Sequence, residues 1–142
     1  MKDMHNNISI DQAIALDTLG ADNVPVAVDL SGFKSAEILL AIGAGGITFT
    51  GTHKIEFKLT HSDDDVTYDE VVDADMLGVS NVTGGIIKDL KTAHASAAVY
   101  RFGYKGNRRY LKLLADFSGT HGTGTPIAAM VVKGEPRNAS TS

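Results

Sequence analysis

Residues Ile55–Val72 read Ile-Glu-Phe-Lys-Leu-Thr-His-Ser-Asp-Asp-Asp-Val-Thr-Tyr-Asp-Glu-Val-Val. Ile55, Phe57 and Leu59 alternate with Glu56, Lys58 and Thr60. A period of two sends one set of side chains to a core face and the other to water, which is the pattern of a half-buried strand. Ser62 to Asp65 then places four turn formers in a row. Their short polar side chains bond nearby backbone groups and compete with a continuing strand. Val66 to Val72 resumes with β-branched and aromatic residues, so the stretch predicts a β-hairpin with a polar tip.

Outward from this hairpin the same grammar repeats. Ile8–Leu19 mixes a helical stripe with alternation and is read as an irregular strand. Val24, Val26, Val28 and Leu30 predict a strand face, with Pro25 at its start or on an edge. Ala36–Ile42 is almost continuously apolar, as in a central sandwich strand, and Ile47–Thr50 predicts a short strand. Asp73–Gly78 predicts one helical turn with Asp73 as cap and Gly78 as stop. Ile86–Leu90 predicts a further strand and Lys91–Ala98 a loop or one helical turn. Val99–Tyr104 and Tyr110–Phe117 flank Lys105-Gly106-Asn107-Arg108, a second predicted hairpin, because Gly and Asn both tolerate positive φ. Ser118–Thr125 predicts a flexible loop and Pro126–Val132 the last strand. About eight strands with turn signals every 8–12 residues predict an all-β sandwich or barrel with at most short helical turns. Residues 1–142 read as one domain, with 1–7 and 136–142 as flexible arms.

The composition narrows function. The chain has 142 residues, 13 Lys plus Arg against 17 Asp plus Glu, and a formal net charge of -4. A dedicated nucleic-acid binder is usually basic, so direct nucleic-acid contact is not expected. Aromatic residues make up 6% and Trp is missing, which counts against sugar-stacking or single-strand platforms. With no cysteine there is no disulfide, thiol catalysis or Cys-ligated zinc. No apolar run approaches the ~20 residues of a membrane helix. The polar start, Met1-Lys2-Asp3-Met4-His5-Asn6-Asn7, lacks a signal-peptide core. The expectation is a chain made in and kept in a cytoplasm, or carried out as part of something larger, without membrane partners.

Chemistry-bearing groups are few. Asp63, Asp64 and Asp65 with Asp69 form the densest acidic cluster. Calcium takes several oxygen ligands, so Asp63, Asp65 and Asp69 are candidate ligands, but the spacing of an EF-hand loop is missing and the expectation is a solvated turn with no bound metal. The five histidines show no paired-ligand spacing. Ser118–Thr125 is Gly-rich but is not a phosphate loop. No nucleophile–base set and no cofactor motif stands out, so no enzyme is expected. Arg101, Lys105, Arg108 and Arg109 gather on the second predicted hairpin, opposite in sign to Asp63 and Asp64. These two tips are the candidate contact surfaces for self-association or for docking on a larger assembly.

Three segments carry a family resemblance. They are Ser35–Gly43 (Ser-Ala-Glu-Ile-Leu-Leu-Ala-Ile-Gly), Glu56–Tyr68 and Arg109–Ile127. Together they resemble small structural proteins of tailed bacteriophages, over roughly residues 20 to 134. Asp65 stands where similar hairpins often carry Gly. Relatives in that class include capsid decoration, or cement, proteins with jelly-roll β-sandwich folds. The resemblance implies a jelly-roll-like antiparallel sandwich in the virion, on the capsid surface. It implies binding to the major capsid protein and to copies of itself as a homodimer or homotrimer, with no catalytic residue and no cofactor. Other virion parts (a head–tail connector, a tail or head-fibre protein) and a carbohydrate- or calcium-binding sandwich module stay open as alternatives.

Overall fold

The computed structural model describes residues 1–137. It contains ten strands: β1 (Ile8–Leu19), β2 (Val28–Asp29), β3 (Phe33–Ile42), β4 (Lys54–Ser62), β5 (Asp69–Glu70), β6 (Met76–Leu77), β7 (Ile86–Leu90), β8 (Ala98–Tyr104), β9 (Tyr110–Ser118) and β10 (Thr125–Pro136). Every pairing is antiparallel. One sheet has the order β1-β10-β3-β8-β6, and the other β2-β9-β4, with β5 and β7 both on the far side of β4. Without the two-residue strands β5 and β6, the strand order is β1-β10-β3-β8 over β2-β9-β4-β7. Chain order thus crosses from sheet to sheet at every step except β4 to β7, which is the jelly-roll arrangement. The only helical pieces among the described residues are 3-10 turns at His5–Asn7 and Asp73–Asp75.

The alternation that predicts β4 is what builds the core. Ile55, Phe57 and Leu59 are at most 1% exposed. They face Ile38, Leu40 and Ile42 of β3 and Ile127, Ala129 and Val131 of β10 within one buried cluster. Leu111, Leu113 and Ala115 of β9 complete the wall of the second sheet. Phe57 is the Cα partner of Ala115, so the largest core ring sits beside the smallest side chain of the neighbouring strand. Large-beside-small pairing is how two faces interdigitate without voids.

Four local expectations are corrected. The second arm of the opening hairpin pairs only through Thr60↔Glu70 and His61↔Asp69, and Val66 and Val72 are exposed. The acidic turn is wound too tightly by its own side chains to deliver a longer strand, and β9 is the long partner of β4. β8 and β9 are not a hairpin, because they lie in different sheets and Lys105–Arg109 spans the gap between them. Asn107 takes the positive φ of 59° foreseen for the tip, while Gly106 packs its Cα under the Tyr104 ring. The inward rings of Phe102 and Tyr104 then face the second sheet instead of continuing beside β9.

The third correction concerns Val24–Leu30, of which only Val28–Asp29 is strand. Just before it, the Asn23 side chain bonds both the Leu113 carbonyl and the Ala115 N–H, and Asp22 accepts from the Phe117 N–H. These side chains satisfy the β9 edge where a strand would otherwise lie, and Val24 and Val26 are left exposed. Fourth, Ile47–Thr50 is not a strand, although Phe49 is buried in the core. At the expected helical turn, Asp75 rather than Asp73 bonds the Val72 N–H, while Asp73 accepts from the Val82 N–H.

The expected arms are partly ordered. In residues 1–7 the Asp3 carboxylate accepts from the Asn6 N–H. Pro136 closes β10 and the Arg137 N–H donates to the Gly32 carbonyl at 2.7 Å. Residues 138–142 of the predicted C-terminal arm lie outside the described residues.

Candidate interaction site at the β8–β9 corner

The acidic turn is built by Ser62 and Asp64. The Ser62 hydroxyl donates to the Asp64 carboxylate and accepts from the N–H groups of Asp64 and Asp65. The same Asp64 oxygen accepts from the N–H groups of Val66 and Thr67, both at 2.9 Å. These donors, Thr67 foremost and then Val66, hold the Asp64 carboxyl below its ordinary range. Asp65 adopts φ 59°, the left-handed conformation of the position where similar hairpins often carry Gly, and accepts from the Tyr68 hydroxyl. Among the described residues no group of three or more His, Asp or Glu side chains is placed to hold a metal ion. Asp63, Asp65 and Asp69 are therefore not gathered into one coordination site, and Asp69 is instead ion-paired to Arg108.

That ion pair joins the two tips that the sequence set apart as complementary. Arg108 reaches Asp69 at 2.7 Å. Arg109 forms a two-pronged pair with Asp29, at 2.9 Å on each arm, and this holds the Asp29 carboxyl below its usual value. Much of the complementarity thus operates inside one chain, locking the corner to β2 and β5. Arg101 is elsewhere. It lies on the outward face of β8 opposite Leu39.

Around the corner runs an open cavity of about 380 Å³. Lys34, Lys105, Arg108, Arg109 and Arg137 line it, over an apolar floor that includes Phe33 and Tyr104. Lys34 and Arg137 were not legible as site residues. They are about a hundred positions apart, and the antiparallel pairing of β10 with β3, with the Arg137 N–H bond to Gly32, brings their segments together. Among the described residues Lys34, Lys105 and Arg137 make no ion pair. In a chain of net negative charge this is a local concentration of unpaired cations.

Beneath the corner lies His61, 4% exposed. Its Nδ1 is 2.8 Å from the Tyr104 hydroxyl, which also accepts from the Arg108 N–H. The direction of the Tyr104–Nδ1 bond follows the imidazole tautomer, and Nε2 on the other side of the ring lies 3.9 Å from the Asp75 carboxylate. Burial first, and the Arg108 charge second, lower the His61 pKa, against the opposing pull of Asp75, Asp69 and Asp63. Burial likewise pushes the Tyr104 hydroxyl up to about 12. A buried histidine that resists protonation makes the unfolded chain the better proton binder below its ordinary pKa of ~6.5. Its share of stability is complete above that value and falls as pH drops from there through the lowered folded pKa. Thermal melts at pH 7.5 and pH 5.5 should show a lower midpoint at pH 5.5, and His61→Gln should shrink the gap. An equal gap in both proteins would exclude His61 as its source.

Three other histidines fasten loops. His53 accepts from the Thr120 N–H, and His121 donates to the Ser118 carbonyl between the rings of Phe49 and Phe117. His94 donates to the Gly43 carbonyl and accepts from the Tyr100 hydroxyl.

No protein-family model matches this chain. No curated protein matches it. Among solved structures, an appendage protein of Bacillus endospores, from a family of disulfide-linked pili, is 17% identical over 96% of this chain and 97% of that chain, with a TM-score of 0.40.

Proposed function

We propose that this chain is a bacteriophage head decoration protein. It binds the outside of a shell built by a major capsid protein, acts as a homo-oligomer, and stabilises the shell mechanically, without catalysis. The observation that carries the reading is the cavity at the β8–β9 corner, where Lys34, Lys105 and Arg137 converge without acidic partners. Carboxylates on a neighbouring shell subunit would complete those charges. The resemblance of residues 20 to 134 to structural proteins of tailed phages supplies the identity of that neighbour. A jelly-roll sandwich offers the rigid platform such a role needs. Bridging two shell subunits buries surface that exists only in the assembled particle, so binding shifts the equilibrium toward the intact shell.

The test adds the purified chain to shells that lack it. The shells should gain heat resistance and carry the chain into the pellet on sedimentation. The triple variant Lys34→Glu, Lys105→Glu, Arg137→Glu should bind about tenfold more weakly or worse. Shells whose heat resistance is unchanged by saturating amounts of the chain would overturn the proposal.

A further inference from the structure

The two outward faces of the sandwich differ in chemistry. On the β9–β4 sheet the outward positions carry two ion pairs, beside Thr60, Tyr110, Lys112 and Leu114. Lys58 meets Asp116 at 2.8 Å and Lys54 meets Glu56 at 3.3 Å. On the other sheet the outward rows are mostly apolar. One row crosses the strands as Ile10, Val132, Glu37, Gly103 and Leu77. The next runs Gln12, Met130, Leu39 and Arg101. A third runs Ala128, Ala41 and Val99. Ile10 is 54% exposed, Leu77 55% and Val99 69%.

Apart from Glu37 and Lys133, the central stretches of β3 and β10 are thus largely apolar on both faces, the composition of strands covered on both sides. Among the described residues the second sheet covers the inner face and no element covers the outer one. Exposed contiguous apolar surface of this kind marks an interaction site. Four strands ~4.8 Å apart and the five residues per strand that the rows span, at ~3.4 Å rise, give roughly 330 Å² in flat projection. Side-chain relief adds to this, so the patch is a small contact face, below the ~800 Å² per partner of a standard interface.

We propose that this face is where two copies of the chain pack together, sheet against sheet. The charges name the occupant. Within the three rows the face carries one acid, Glu37, and one base, Arg101, on the adjacent central strands β3 and β8. Neither makes an ion pair among the described residues. A two-fold axis lying in the plane of the interface, crossing at right angles the midpoint of the line between them, sets each Glu37 over the other copy's Arg101, and the two pairs form at once. An isologous interface requires this kind of self-complementarity. The face is otherwise uncharged, so a second copy satisfies both charges and covers the apolar rows.

The inference deepens the homo-oligomer of the proposed function by assigning its contact face, and its test is independent of shells. Analytical ultracentrifugation of the wild-type chain should give twice the chain mass. Glu37→Arg and Arg101→Glu should each weaken self-association by about a hundredfold, because each sets like charges opposite one another twice. An equimolar mixture of the two variants should regain the doubled mass. In the mixed dimer the two chains carry opposite charges on the contact face, two bases on one and two acids on the other. Circular dichroism on each variant checks that these surface changes leave the fold intact. A wild-type chain that sediments as a monomer at high concentration overturns the proposal. So does an oligomer indifferent to both reversals, or one that the mixture fails to restore. A dimer formed this way by a chain that ignores shells would leave this inference standing and remove the capsid reading.

Discussion

Phe57→Ala should cost about 3–5 kcal/mol of folding stability, the usual penalty for emptying a buried aromatic site. Phe57 is fully buried at the centre of β4, between β9 and β7. Its ring is set beside Ala115, which is too small to fill the space left behind. Both sheets touch the same cluster, so a void here loosens the contact between them rather than one strand. Domains of this size are stable by only ~5–15 kcal/mol in total, so the variant should melt far earlier or fail to accumulate. Phe57→Leu keeps most of the volume and should cost under about 1.5 kcal/mol. Denaturant titrations followed by tyrosine fluorescence measure both. A loss below ~1 kcal/mol for the alanine variant would show that the core can collapse around the site.

Gly124→Ala is the second large effect. Gly124 has φ +89°, a conformation that side chains rarely adopt, and a Cβ there would stand 2.7 Å from the Leu19 carbonyl oxygen. The conformation alone is worth roughly 1–3 kcal/mol. The clash is with backbone, so relief requires moving the end of β1 away from the start of β10, at the pairing Leu19↔Thr125. Gly46 closes the same crossing from the other side, since its own Cβ would fall 2.0 Å from the Gly124 oxygen. These chain segments therefore pass at backbone contact, and no side chain fits between them. Gly20→Ala, with open space around it and no positive φ, is the matched control. Thermal denaturation should separate the two by many degrees, and equal midpoints would refute the account.

The architecture was legible where one side chain pattern decided one strand. The alternation through Ile55, Phe57 and Leu59 gave β4, and the continuous apolar run of Ala36–Ile42 gave the central strand β3. What could not be read were choices between sheets. Val99–Tyr104 and Tyr110–Phe117 look like the arms of a hairpin because local signals describe a turn, not which edge the next strand meets. The partner of each strand is chosen by the packed core, where Tyr104 turns inward onto His61. Val24 and Val26 misled for a related reason. Their alternation is real, but Asp22 and Asn23 already occupy the β9 edge. The candidate charges were legible as residues and not as a site. Nothing near Lys34 announces Arg137, and nothing in the acidic tip announces that Arg108 holds Asp69.

The strand order has a consequence for how the molecule comes into being. β10 lies between β1 and β3, yet it follows every other strand along the chain. During synthesis at ~5–20 residues per second, β1 emerges ahead of the other strands and has no neighbour until residues beyond Thr125 have left the ribosome. The first-made strand is the last to be paired. For those seconds Ile8–Leu19 is an open edge with apolar side chains, the kind of segment that joins other chains when it lingers. Its register breaks after Gln12 and again after Ile14. Such irregularities make a strand a poor template for a stranger while still accepting its own β10.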